Sequence, residues 1–215
     1  MSRSILFFRL YCLGMVAICV CTSMYFVNPS IYTEIVKEDG VIEYISAIAL
    51  LISSSIIFKS IFNNKKNLKM SQKTGLIIMS VVLFFGFGEE ISWGQRIFNI
   101  SSPGFFLENN LQSETNIHNL NICGIKLNKW IFTYLLVGLC SIYFLFIPIS
   151  SRYYRWIKNV FMQYSIPIPK LEYSAVFIIM SIALNILNTP RIAEMWECVF
   201  SITMIIICLH PDEDS

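Results

Sequence analysis

GLIIMSVVLFFGFGEEISWGQRIF, residues 75–98, opens as a continuous apolar run and closes on two adjacent glutamates, Glu89 and Glu90. A helix rises about 1.5 Å per residue, so roughly 20 apolar residues cross the hydrocarbon of a bilayer. The run is of that length. Carboxylates at the end of such a helix are expensive to place, and they face a bundle interior or a wet cavity. Beyond them the chain stays polar as far as Asn119, with Trp93, Gln95, Arg96, Glu114 and His118 on the way. His118 is one of only two histidines.

Working outward, five further apolar runs of comparable length appear. The six expected spans are 10–27, 44–62, 75–98, 130–149, 173–188 and 191–209, with Trp130 at an interface. The 215 residues are 55% hydrophobic and 14% charged. A soluble domain carries nearer a quarter charged residues. The expectation is an all-α, polytopic transmembrane helical bundle of about six spans, one integral membrane domain over 1–215. Arg3 and Arg9 precede the first span, which is read as a retained anchor because no small-residue cleavage site follows it. Six of the seven cysteines lie in apolar runs, where Cys acts as a small hydrophobe, and Cys123 lies in a loop. There is no CxxC pair, zinc-finger spacing, Walker loop, GxGxxG or GxSxG, which removes the chemistries those motifs carry.

Charge sets the orientation. Of the 16 Lys and Arg residues, only Lys37, Arg96, Lys126, Lys129 and Arg191 fall on one side of a six-span arrangement. The other eleven lie in the N-terminus and the 59–74 and 150–171 loops. By the positive-inside rule both termini are cytoplasmic. Ten of the 14 acids gather on the opposite, outer side. Four segments deliver them to one membrane depth: Asp39/Glu43, Glu89/Glu90, Glu114 and Glu194/Glu197.

Several of these residues have a bland role open to them. Asp39-Gly40 starts the second span, and Glu43 in its first turn meets the helix dipole, as do Glu194 and Glu197 in theirs. Asn185 and Asn188 could hydrogen-bond between spans. On an unbroken helix, Glu89, Ser92, Trp93 and Arg96 share one face, while Gly86, Glu90 and Gly94 line another suited to close packing. A direct Glu89–Arg96 pair requires the helix to end or bend between them. If 114–118 is helical, Glu114 and His118 face together, so the carboxylate could orient the imidazole or join it in binding a metal. A divalent metal is a candidate cofactor on that ground, although a single outer histidine excludes a three-histidine zinc site. Ser101-Ser102-Pro103 reads as the start of a short surface helix with Phe105 and Phe106 dipping into lipid.

EDGVIE (38–43), GEEISWGQRIF (88–98) and NNLQSETNIHNL (109–120) resemble a family of multipass bacterial membrane proteins. Its members carry EDGxxE, EE[IL]SWGQR and NxQxExNxHN motifs. The resemblance implies a six- to seven-span integral membrane fold in the bacterial cytoplasmic (inner) membrane and brings no activity with it. A weaker likeness to CAAX-type intramembrane proteases fails on spacing. Arg96 follows Glu90 by six residues rather than four, and the two later membrane-embedded histidines of that pattern are missing.

The chemistry these residues suit is that of a membrane-embedded hydrolase or transferase acting on a lipid or lipid-linked substrate. Glu89, Glu90, His118 and Glu114 are the candidate catalytic residues. Arg96, Trp93, Gln95 and Asn119 are the candidate substrate-binding residues, Arg96 as a clamp for an anionic group. The alternatives are a non-catalytic scaffold or partner subunit, in which the polar cluster is structural glue, and a transporter component. Membrane lipid is the expected partner, no nucleic acid is expected, and the oligomeric state is open.

Overall fold

The computed structural model describes residues 3–62, 67–122, 124–127 and 134–211. Residues 63–66 of the basic loop, Cys123, the Trp130 start of the fourth span and residues 212–215 lie outside the described residues. The chain is helical almost throughout: α1 Arg3–Val27, α2 Pro29–Val36, α3 Val41–Ile61, α4 Met70–Glu90, α5 Gln95–Phe98, α6 Gly104–Asn109, α7 Leu136–Ser141, α8 Ile147–Tyr153, α9 Arg155–Gln163, α10 Leu171–Leu187 and α11 Ile192–Leu209. A two-residue hairpin, β1 Asn121–Ile122 with β2 Ile125–Lys126, interrupts them.

Among the described residues, five stretches are long and apolar enough to cross a membrane: Ile5–Val27, Pro29–Ile61, Met70–Glu90, Leu136–Tyr153 and Ile192–Leu209. Leu171–Leu187 is apolar but shorter. Their outward faces carry apolar side chains such as Leu13, Val81, Val82 and Ile186, as expected of surface that meets lipid rather than water.

The bundle centres on α3, which packs against α4 and α11, with α1 and α10 outside them. Lipid offers no hydrophobic drive between helices, so small and polar residues make the joints. Ser54 and Ser80 each donate to the other's carbonyl across α3 and α4, at 2.8 and 3.1 Å. Tyr11 and Thr203 join α1 to α11 at 2.9 Å. Tyr32 on α2 reaches Thr189 at 2.7 Å and donates to the Pro190 carbonyl at 2.8 Å, fixing the turn between α10 and α11. The expected interspan role of the asparagines falls instead to Trp196 and Ser181, whose Nε1–Oγ bond is 3.0 Å. Asn185 bonds the Ser181 carbonyl of its own helix, and Asn188 caps α10 in a left-handed conformation.

Two elements depart from the sequence reading. The third span ends at Glu90 rather than continuing to Phe98, because Ser92, Trp93 and Gly94 all take positive φ. That break dissolves the shared face expected of Glu89, Ser92, Trp93 and Arg96. Residues 150–171, read as a loop, contain α9. Between α7 and α8 the helix widens to a π turn over Ile142–Phe146, just before Pro148, whose missing N–H cannot continue the ordinary ladder.

Candidate functional site

The end of α4 and the loop 110–120 are knotted together by side chains. Asn110 and Asn116 shape the loop. The Asn110 amide donates to the Asn116 carbonyl at 3.0 Å and to its Oδ1 at 2.9 Å, and its own Oδ1 receives the Gln112 and Glu114 N–H groups. Gln95 bridges inward, accepting the Thr115 N–H at 2.6 Å and donating to Ser102 Oγ at 2.6 Å. Asn119 sits at the loop's closing turn, its N–H on Asn116 Oδ1 and its carbonyl on the Leu111 N–H.

Both oxygens of buried Glu89 are engaged. Oε1 accepts Trp93 Nε1–H at 2.9 Å, and Oε2 accepts the backbone N–H groups of Ile117 and His118 at 2.6 and 3.1 Å. The helix does end between Glu89 and Arg96, yet the two do not pair. Arg96 spreads between Asp39 and Glu114, forming an ion pair with each. The other oxygen of Glu114 accepts Ser92 Oγ–H at 2.6 Å and the Asn116 amide at 2.9 Å. Residues 114–118 are not helical, so the Glu114-to-His118 arm expected on one helical face does not form. Across the interface Glu38 accepts from Gln112 and lies 3.8 Å from Arg191. Glu43, in the first turn of α3 as expected, accepts the Asp39 N–H at 2.6 Å, while the N-cap position is Gly40 and no side chain caps the helix.

Next to this knot is a cavity of about 270 Å³. Glu38, Glu43, Glu89, Glu90, Glu114, Glu194 and Glu197 line its polar end, with His118 and Asn119. Leu50, Val82, Leu83, Leu136, Leu139 and Phe200 are among the residues of its apolar wall. No lysine or arginine is among the described residues lining it. Arg96, Trp93 and Gln95 also stand outside the lining, so the residues named from the sequence separate into a frame and a cavity.

Within the cavity Glu90, Glu194 and Glu197 differ from Glu89. Among the described residues, no hydrogen bond or ion pair reaches their carboxyl groups, and with Glu43 they lie close enough to sense one another's charge. Burial pushes the His118 imidazole below its ordinary pKa, against a weaker opposing pull from Glu38. Among the described residues no three His, Cys, Asp or Glu side chains are arranged to hold a metal ion.

Glu194 and Glu197 are absent from the site set drawn from sequence, where their position at a helix start already accounts for them. Their three-residue spacing and their place on the acid-rich side are the signals that lead to the cavity. Compared with family models, curated proteins and solved structures, the chain matches none.

Proposed function

We propose that the cavity is the working site of a membrane-embedded hydrolase or transferase whose substrate is a lipid or lipid-linked molecule. The observation that carries this reading is the set of carboxyl groups of Glu90, Glu194 and Glu197, which share one cavity with an apolar wall and which no hydrogen bond or ion pair from a described residue reaches. Concave sites with a mostly apolar lining and a few convergent polar groups are where small molecules bind. Here one carboxylate accepts a proton from an attacking water or hydroxyl, and a neighbouring carboxyl returns a proton to the leaving group. Glu90 and Glu197 take these roles, and His118 lies at the same polar end. Glu89, Glu114, Arg96, Trp93 and Gln95 serve as the frame that holds loop 110–120 over the cavity. With Arg96 committed to Asp39 and Glu114, no lysine or arginine among the described residues lines the cavity to meet an anionic headgroup. An uncharged, hydroxyl-rich headgroup or an amine-bearing one fits the lining.

In this reading α10 also crosses the bilayer, giving six spans in a bacterial cytoplasmic membrane with both ends of the chain on the cytoplasmic side. The charge asymmetry supports that topology.

The test is a comparison of total lipid extracts, by mass spectrometry, from cells lacking the protein and from cells carrying wild type, Glu90→Gln or Glu197→Gln. The expected result is a lipid species that changes on deletion, is restored by wild type, and is not restored by either variant at equal protein level. Full restoration by both variants would remove the catalytic reading. Loss of protein level in both would favour a scaffold held together by its acids.

A further inference from the structure

Helix α9 begins where the spanning helix α8 stops: Tyr153 closes one, Tyr154 breaks the ladder, and Arg155 opens the next. Its apolar side is wider than the part the protein covers. Ile157 is buried and Phe161, one turn on, packs with it against Ile147 and Ile168. Trp156 and Val160 flank that stripe at the same four-residue spacing, and they are 67% and 43% exposed. The opposite side carries Arg155, Asn159 and Gln163.

The helix is held against the start of α4, where Gly75 leaves room for the Tyr164 backbone. A Cβ there would collide with the Tyr164 carbonyl oxygen. Gln72 also donates to the Met162 carbonyl. The orientation of α9 is therefore set, and its bare apolar flank is continuous with exposed Tyr153 and Tyr154 at the end of a membrane span. Arg152 and Arg155 are exposed at that rim, and among the described residues no acidic side chain pairs with either. An amphipathic helix at a span's end, with Trp and Tyr on one flank and arginines at the rim, matches the chemistry of a membrane interface.

We infer that α9 is an interfacial helix whose exposed Trp156/Val160 flank enters the bilayer while Arg152 and Arg155 bind the phosphate headgroups of anionic phospholipids. This inference stands apart from the acidic cavity and survives if that site proves inert. A basic residue near a membrane surface is worth a factor of about five in affinity for anionic lipid.

The experiment takes the full chain from vesicles of equal phosphatidylglycerol and phosphatidylethanolamine into mild detergent and quantifies the retained phospholipid by mass spectrometry. Wild type should retain phosphatidylglycerol in preference, and R152Q/R155Q should lose that preference by about fivefold per arginine. Equal preference in both proteins overturns the inference. So does displacement of the retained lipid by excess inorganic phosphate, which would mark a free-anion site. In parallel, brominated lipid should quench tryptophan emission in wild type and less in Trp156→Phe; equal quenching would take α9 out of the interface.

Discussion

Glu89 receives the backbone N–H of Ile117 at 2.6 Å, tying the end of a membrane-length helix to a loop 28 residues further along the chain. The same oxygen takes the His118 N–H, and its partner oxygen takes the Trp93 indole. A buried carboxylate with three donors is worth more as structure than a neutral group of its shape. Glu89→Gln keeps the size but turns an amide N–H₂ toward groups that are themselves donors. It should cost about 1–3 kcal/mol and lower the thermal unfolding midpoint of the detergent-solubilised protein. An unchanged midpoint would show that the loop does not depend on this carboxylate.

Its sequence neighbour should behave oppositely. Glu90 makes no hydrogen bond to a described residue and shares its cavity with Glu43, Glu194 and Glu197. Glu90→Gln breaks no bond to a described residue and puts a neutral amide of the same size in place of one of several buried, neighbouring carboxyl groups, whose ionisation is opposed by burial and by one another. Glu197→Gln should act in the same sense. Both variants should melt at or above the wild-type temperature. A drop as large as that of Glu89→Gln would mean the two adjacent glutamates do the same structural work.

The membrane-length helices were legible because apolar length is a local property of the chain. The break after Glu90 was not. Helical spacing runs smoothly through Ser92 and Trp93, and only Gly94 hints at a left-handed turn. Positive φ at Ser92 and Trp93 costs energy that side-chain partners offset: Glu114, far along the chain, holds the Ser92 hydroxyl, nearby Glu89 holds the Trp93 indole, and the ring lies where a Cβ on Gly88 would sit, 2.8 Å away. A local reading contains Glu89 and Gly88 but not Glu114. The gathering of acids from four segments was legible from charge asymmetry. Their division into bonded and unbonded members was not, because it depends on which backbone N–H groups the loop turns inward. Helix α9 was hidden for another reason: its Ile157/Phe161 stripe is only two residues long, and Tyr, Arg and Asn around it read as loop.

Arg96 and Glu114 offer a coupling measurement. Glu114 is buried while Arg96 is exposed, and the guanidinium also holds Asp39 from the turn before α3. Removing Arg96 leaves buried Glu114 without its ion partner, and because the guanidinium itself is solvent-accessible the cost is about 1–3 kcal/mol, below that of a fully buried pair. Arg96→Ala and Glu114→Gln should each lower the unfolding midpoint, and the double variant should lose much less than the sum. Strict additivity would show that the two side chains act independently. Arg96→Lys should fail to rescue, because a single ammonium cannot span two carboxylates as the planar fork does.

His118 should make stability depend on pH in one direction. Burial lowers its pKa in the folded protein, with Glu38 opposing more weakly. The unfolded chain titrates at the ordinary histidine value, about 6.5. Below that value the unfolded state holds the proton more readily, so stability rises with pH across the window between the two pKa values. The contribution is complete above about pH 6.5 and is lost as the pH falls toward the lower, folded value. His118→Gln removes this dependence while leaving the backbone N–H on Glu89 in place. Unfolding midpoints of wild type and His118→Gln, measured between about pH 8 and pH 5 in one detergent, should run parallel at the upper end and diverge at the lower. The carboxyl groups are common to both proteins, so the difference isolates the imidazole. Curves that stay parallel throughout would mean that His118 titrates alike in the folded and unfolded chain, and burial of its ring would have no energetic consequence.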